Sequence, residues 1–369
     1  MNPAERQSEP LAEASLDELD RRLLNGLQAG LPLIPEPFAE LAASLGVTVD
    51  HLLARVAHLK QTGIIRQLCA IFDTAAMGYS SSLVAGRVDP ANLPAAVERI
   101  NRHPGVTHNY RRNHDYNLWF TLAVPPGSKL GLAGTVDRLT RETGATALRL
   151  MPALRVFKIG VQFDMTEPHD LLPGEEDLSA VGATSSDAIG TRPGEVPGAA
   201  RPVSLDDSDI AVVRALQDDL PLAAAPFQDV ARSANMSVEQ LLAAAQRMQR
   251  AGQIRRLAAI LHHRAAGFSA NAMGVWSAAD DRVEQVGRLL ASFRAVSHCY
   301  QRPTWPDWPF NLFTMVHGHT RPECDAHLAA MRAASGIEQM AVLYSLEEYK
   351  KMRLRFFTGE IEAWEAEEE

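Results

Sequence analysis

Asp20-Arg21-Arg22-Leu23-Leu24, with Gly63-Ile64-Ile65-Arg66 closing the same segment, returns later in the chain as Asp209-Ile210-Ala211-Val212-Val213 and Gly252-Gln253-Ile254-Arg255. The correspondence continues beyond it: His108-Asn109-Tyr110-Arg111-Arg112 comes back as His298-Cys299-Tyr300-Gln301-Arg302. So long a repeat marks a duplicated domain pair in one polypeptide and excludes a solenoid, whose periods are tens of residues. Both copies read alike. Ser15-Leu16-Asp17-Glu18 is a capping box, and Leu16, Leu19, Leu23 and Leu27 recur at helical spacing. A short helix over Phe38–Leu45, a turn at Gly46-Val47-Thr48 and a third helix from Asp50 to Gln61 follow. Gly63 ends that helix, and residues 64–71 have strand character. The pattern predicts a winged helix-turn-helix. In the second copy, Ser204-Leu205-Asp206-Asp207 opens the first helix and Ser237-Val238-Glu239-Gln240 caps the third.

The remainder of each half alternates differently. Strands at Ser80–Val88, Val106–Arg112, Asn117–Val124 and from Thr146 interleave with helices at Leu93–Arg102 and Leu130–Glu142, and the order repeats from Phe268 to Tyr344. That βαββαβ order is the ferredoxin-like plait. The expected fold class is therefore α+β, a tandem duplication of a winged helix-turn-helix plus a ferredoxin-like domain. Winged helices are expected at 15–75 and 204–264 and plaits at 76–164 and 265–358. Residues 165–203, rich in Pro, Gly, Ser and Asp without apolar periodicity, read as a linker, and 359–369 as a solvated, disordered acidic tail. A linker of that length lets the halves pack with pseudo-twofold symmetry.

The net charge of −9 misleads if taken whole. The stretches 164–209 and 360–369 hold 17 acids and 2 bases, so the rest of the chain is about +6. Only 5 of the 36 basic residues are lysine. Arginine grips carboxylate and phosphate bidentately, although a GC-rich genome would give the same bias. Cys69, Cys299 and Cys324 show no CxxC spacing, which argues for a reducing compartment and against a zinc or iron–sulfur site. The polar, acidic start and the lack of a long apolar run predict a cytoplasmic protein without a membrane span.

A winged helix followed by a plait resembles the Lrp/AsnC transcription regulators. At finer grain, Gly63-Ile64-Ile65-Arg66 with Ala70-Ile71-Phe72-Asp73, the run from His108 through His114-Asp115-Tyr116-Asn117 to Phe120, and Phe157-Lys158-Ile159-Gly160 resemble the siroheme decarboxylases of the NirD/NirL and AhbA/AhbB type. The resemblance covers all but the linker and the tail, as a fusion of two such subunits would. It implies loss of CO2 from the C12 and C18 acetates of siroheme to give 12,18-didecarboxysiroheme, on the way to haem d1 or to haem by the alternative route. Siroheme would be bound as substrate. The implied partners are siroheme, its product, the opposite half of the chain, and either a second copy or companion haem d1 biosynthesis proteins.

The chemistry narrows the residues. Loss of CO2 leaves an electron pair on the exocyclic carbon, which a polarised macrocycle can delocalise before a proton arrives. A general acid and carboxylate anchors then suffice, with no electron-sink cofactor. His114, in the connection between the central plait strands and flanked by Arg111, Arg112, Tyr116 and Asn117, is the expected acid. The second half lacks it: Pro303-Thr304-Trp305-Pro306-Asp307-Trp308-Pro309 intervenes with four extra residues, Tyr116 becomes Phe310, and Asn117 is kept as Asn311. One catalytic half and one altered half is the simplest inference. His108 and His298 match, either as core residues or facing the porphyrin as an acid or an axial ligand to its iron. Arg112 with Arg302 and Arg66 with Arg255 are candidate carboxylate anchors. Tyr110 and Tyr300 read equally as core or as ring-stacking residues. Lys158 and Lys350 sit in matched pairs that suggest a fold feature, while His262, His263, His317 and His319 read as surface residues.

Two alternatives belong to other classes. A DNA reader needs cations on the third helix, yet that helix carries two full positive charges and its copy only Arg247, with Arg250 just beyond; both begin with an acid. This argues against DNA as the partner. A non-catalytic haem sensor would bind the tetrapyrrole without turnover.

Overall fold

The computed structural model describes residues 16–159, 205–261 and 270–367. The linker, the caps expected at Ser15 and Ser204, and His262 and His263 lie outside the described residues. The first half comprises α1 (Glu18–Ala29), α2 (Pro37–Leu45), α3 (Val49–Gln61), β1 (Ile65–Phe72), β2 (Ser80–Arg87), α4 (Leu93–Arg102), β3 (Val106–Arg112), β4 (Leu118–Val124), α5 (Gly131–Thr143), β5 (Ala147–Met151) and β6 (Arg155–Ile159). The second comprises α6 (Asp207–Leu216), α7 (Phe227–Ser233), α8 (Val238–Arg250), β7 (Ile254–Leu261), β8 (Ala270–Trp276), α9 (Val283–Ser292), β9 (Val296–Gln301), β10 (Leu312–Gly318), α10 (Arg321–Ser335), β11 (Met340–Lys351) and α11 (Glu360–Ala366). The tandem helix-turn-helix and plait order is the one read from the sequence. No helix among the described residues is long and apolar enough to cross a membrane.

The chain divides into two compact units that regroup the halves: the two helix-turn-helix segments form one, and both plaits form the other. In the first unit, the cap of α1 is Asp17, whose carboxylate accepts from Asp20 N at 2.8 Å, and Asp206 does the same for α6. Ser237 and Gln240 form the expected capping box of α8. β1 does not fold back as a hairpin within its own half; it pairs antiparallel with β7, the equivalent strand of the other half, from Ile65↔Leu261 to Phe72↔Ile254. No local turn specifies this ribbon. Its partner strand comes from the second copy, and Asp219 reinforces it by accepting from Leu68 N at 2.9 Å.

In the second unit the strands run in the order β5-β2-β4-β3-β11-β8-β10-β9-β6. Each plait keeps its own four strands, and the tail of each adds a strand to the other. β6 pairs with β9, while β11 pairs through Met340–Tyr344 with β8 and through Ser345–Lys351 with β3. Alternation divides the side chains between two faces, as expected for strands. Val84, Leu118 and Phe120 face α4 and α5, and Ala272, Trp276 and Leu312 face α9 and α10. The intervening Ala85, Trp119, Met273, Val275 and Phe313 join one core with Trp308 and Leu343, drawn from both halves.

The matched lysines explain the tail exchange. Lys158 on β6 donates to Phe293 O at 3.0 Å, and Lys350 on β11 donates to Asn101 O at 2.6 Å and His103 O at 3.3 Å. Phe293 and His103 are the C-caps of α9 and α4, so each tail strand places a cation on the carbonyl end of the other half's first plait helix. The tail beyond residue 359 also differs from the expectation. Ile361 and Trp364 are three apart and buried, and they dock α11 against the first plait; Arg138 lies 4.2 Å from the Trp364 ring centre and donates to Trp364 O. An apolar stripe among the glutamates is enough to seat the helix.

Candidate active site

β3 and β4 carry the first group of candidates, and their connection carries His114. His108, Tyr110 and Arg112 share a face because strand residues two apart point the same way. Tyr110 stands opposite Trp119, on the face whose core joins the two plaits. The His108 and Tyr110 rings stack at 6.3 Å, and the Arg112 guanidinium lies 5.5 Å from the Tyr110 ring centre. β9 repeats the ladder: His298 and Tyr300 stack at 6.0 Å, with Arg302 at 4.8 Å from the Tyr300 ring. Both tyrosines are half-buried, and each stacks on the histidine two residues before it.

The two arginines also behave as a pair. Arg112 donates to Leu343 O at 3.0 Å, and Arg302 donates to Met151 O, each carbonyl belonging to the opposite half. Burial lowers both guanidinium pKa values to about 10. Each retains a buried Nε–H without an acceptor among the described residues, as does Arg87. An orphaned charged donor costs more than a neutral one, so such a trio is suited to an incoming anion. Arg111 is exposed, opposite Glu347. Arg66 and Arg255 lie in the other compact unit, on β1 and β7.

His114 sits half-buried just past β3, with Nδ1 accepting from Tyr116 N at 3.0 Å. That bond leaves Nε2 as the proton-carrying nitrogen. Its ring meets Trp308 edge-on at 5.2 Å. Burial, followed by the nearby Arg87 charge, lowers its pKa below the ordinary histidine value, against the opposing pull of Asp115. His108 lies within β3, whereas His114 follows its end.

Two expectations need correction. Tyr116 is fully buried, and its hydroxyl donates to Asp307 Oδ2 at 3.0 Å, so it supports its neighbours rather than offering a proton. Burial also raises its pKa. Asn117 accepts from Val88 N at 3.1 Å and donates to Val88 O at 2.8 Å; Asn311 does the same with Ala278 at 2.9 and 2.7 Å. Both amides are spent on backbone, which makes these residues scaffold and not substrate contacts. His317 corrects a third expectation. It is half-buried, with Nε2 2.7 Å from Ser297 Oγ, whereas His319 is exposed.

Sequence reasoning missed Asp307, Arg87 and Arg149. Asp307, on the four-residue insert of the second half, receives Arg149 at 2.5 and 3.2 Å and Arg87 at 3.2 Å beside the Tyr116 hydroxyl. Trp308, fully buried, and a Trp305–Trp308 bridge hold the insert in place. The available clue was the insert itself, at the point where the halves stop matching.

In the helix-turn-helix unit the expected recognition helices are internally neutralised. Arg55 of α3 bridges Asp17 and Asp20 at 2.6 and 2.8 Å, Lys60 bridges Asp219, and Arg247 of α8 bridges Asp209. Cations committed to carboxylates contribute little to phosphate binding.

The chain matches the family model of the siroheme decarboxylase NirDL-like HTH domain over residues 20–66 and 209–255, and that of the AsnC-like ligand binding domain over 76–158 and 265–350. It is 35% identical to a siroheme decarboxylase of Hydrogenobacter thermophilus, across 94% of this chain and 97% of that protein. The alpha subunit of siroheme decarboxylase from Desulfovibrio desulfuricans is 45% identical across 43% of this chain and 90% of its own length. A crystal structure of the siroheme decarboxylase NirDL in co-complex with an iron-uroporphyrin III analogue superposes with a TM-score of 0.71 at 31% identity, covering 94% of this chain and 97% of that one.

Proposed function

The chain belongs to the siroheme decarboxylase family, and from that premise we propose that it removes CO2 from the C12 and C18 acetates of siroheme to give 12,18-didecarboxysiroheme, in haem d1 biosynthesis or the alternative haem route. It is a carboxy-lyase that acts in the cytoplasm. The observation that carries the reading is the match over both halves at once, to a relative crystallised with an iron tetrapyrrole. The repeated His-Tyr-Arg ladders support it, because stacked rings beside orphaned guanidinium donors suit a flat polycarboxylate.

Arg112, Arg302 and Arg87 hold carboxylates that are not lost, with Arg111 at the exposed rim. His108 supplies an axial contact to the substrate's iron. At a lost carboxyl group the carbon–carboxylate bond breaks, CO2 departs, and the electron pair left on the exocyclic carbon takes the Nε2 proton of protonated His114, which is left neutral with Nδ1 accepting from Tyr116 N; solvent then recharges it. The product carries a methyl group. Besides the bound siroheme, the chemistry needs an acid and anchors but no electron-sink cofactor. The helix-turn-helix units serve assembly, given their neutralised helices, and either a second copy or companion biosynthetic proteins complete the assembly.

The test is CO2 evolution from siroheme under anaerobic conditions by the wild type and by His114→Ala. The variant is expected to lose at least ~100-fold in the rate of release of both CO2 molecules, a general-acid contribution, while retaining the siroheme absorption spectrum on binding. Unchanged turnover removes His114 from its role.

A further inference from the structure

The second half lacks a counterpart to His114 but has built something the first half does not have. On β9, Ser297 Oγ lies 2.8 Å from His298 Nδ1 and 2.7 Å from His317 Nε2 on the adjacent β10. The hydroxyl is buried, and the three groups form a continuous hydrogen-bonded chain. In the first half Thr107 takes the place of Ser297, bonding His108 Nδ1 at 3.0 Å and Thr121 at 2.6 Å. There the chain reaches only another hydroxyl, because Ala123 stands where the second half has His317. A second imidazole has therefore been added in the half that lost the loop acid.

We propose that the second half is a second acid site, with His298 as proton donor and Ser297 and His317 as its positioning residues, so that each half serves one of the two carboxyl groups lost. This rests on the siroheme decarboxylase reading above. With Ser297 accepting from His298 Nδ1–H and donating to His317 Nε2, the ring of His298 is fixed in one orientation and one tautomer. Nε2, on the far edge of the ring, is the proton carrier. The carbon–carboxylate bond breaks, CO2 leaves, and the electron pair on the exocyclic carbon takes the His298 Nε2 proton to form the C–H bond. His298 is left neutral with Nδ1–H still held by Ser297, and solvent recharges it after product departs. The His298–Tyr300–Arg302 ladder places the donor beside an aromatic face and a buried guanidinium, as the matching ladder does in the first half.

The experiment uses the full chain, siroheme, and chromatography coupled to mass spectrometry under anaerobic conditions. Ser297→Ala and His317→Ala are expected to accumulate a singly decarboxylated siroheme at least ten-fold over the wild type. Ser297→Thr, which copies the first half's own residue, and His317→Gln, which restores an acceptor, are expected to return the product ratio towards that of the wild type. His298→Ala and His114→Ala are expected to stop at different singly decarboxylated isomers. A wild-type product ratio in both Ser297→Ala and His317→Ala overturns the proposal, and so does the same isomer from His298→Ala and His114→Ala. A wild type that releases no CO2 from siroheme overturns the family reading instead.

Discussion

Asp307 concentrates the charge chemistry around His114. Its carboxylate draws Arg149, Arg87 and the Tyr116 hydroxyl together, and the bonds from Arg149 and then Tyr116 hold its pKa below the usual carboxylate range. Asp307→Asn is expected to free both arginines and lower turnover about ten-fold, with CO2 release as the readout and His114→Ala as the comparison; an unchanged rate assigns the cluster a purely structural role. The His114 pKa is lowered, chiefly by burial, so its acid form persists only on the low side of the ordinary histidine value of 6.5. Turnover routed through it is expected to fall as pH rises, with the descending limb starting below pH 6.5, and His114→Ala is expected to lose that limb. A descent beginning above pH 7 contradicts the assignment. His114, His108, His298, Arg112 and Arg302 were legible as types in a pattern, whereas Arg87 and Arg149 were not. Asp307 was not, because its partners lie far away in sequence; the spent amides of Asn117 and Asn311 were invisible for the same reason.

Helices and strands were legible nearly residue by residue where a cap or an apolar alternation is local. Ser237 and Gln240 at α8 are an example. Pairing was not legible, because nothing near β1, β6 or β11 names the strand each will meet. Two elements show what the exchange rests on. Phe157 of β6 presses on Gly287 of α9 so closely that an added Cβ would lie 2.3 Å from the ring. Gly287→Ala is therefore expected to destabilise the protein by about 1–3 kcal/mol, the usual cost of overpacking, measured by urea denaturation; a loss of nothing contradicts the docking. His103, the C-cap of α4, is buried, and desolvation followed by the charges of Lys350 and Arg138 lowers its pKa to about 3. Its Nδ1 accepts from Gly105 N at 3.0 Å and so must stay unprotonated. The folded state then binds fewer protons than the unfolded state between about pH 3 and 6.5. Stability is present above 6.5 and declines as pH falls, by about 2 kcal/mol at pH 5 from this group. Denaturation midpoints from pH 7 to 5 check this, and His103→Gln is expected to flatten the slope.

At the scale of the whole molecule, duplication has produced a single two-half enzyme. The shared sheet and the joint core of Trp119, Trp308, Phe313 and Leu343 bind the plaits into one unit, so neither plait is complete alone. A protease site engineered between residues 165 and 203 is therefore expected to yield two fragments that co-elute in size exclusion after cleavage, since β6 and β11 have already exchanged; separation of the fragments contradicts the exchange. The repeat was legible from the sequence, but the unlike chemistry of the halves was legible only in part. The loss of His114 in the second half stood in plain view, whereas the Ser297–His317 link needed the pairing of β9 with β10 to appear. Mass spectrometry of siroheme incubated anaerobically with the full chain decides whether this two-half scaffold decarboxylates it: a product lighter by two CO2 is expected, and siroheme that is bound but recovered at its original mass refutes it.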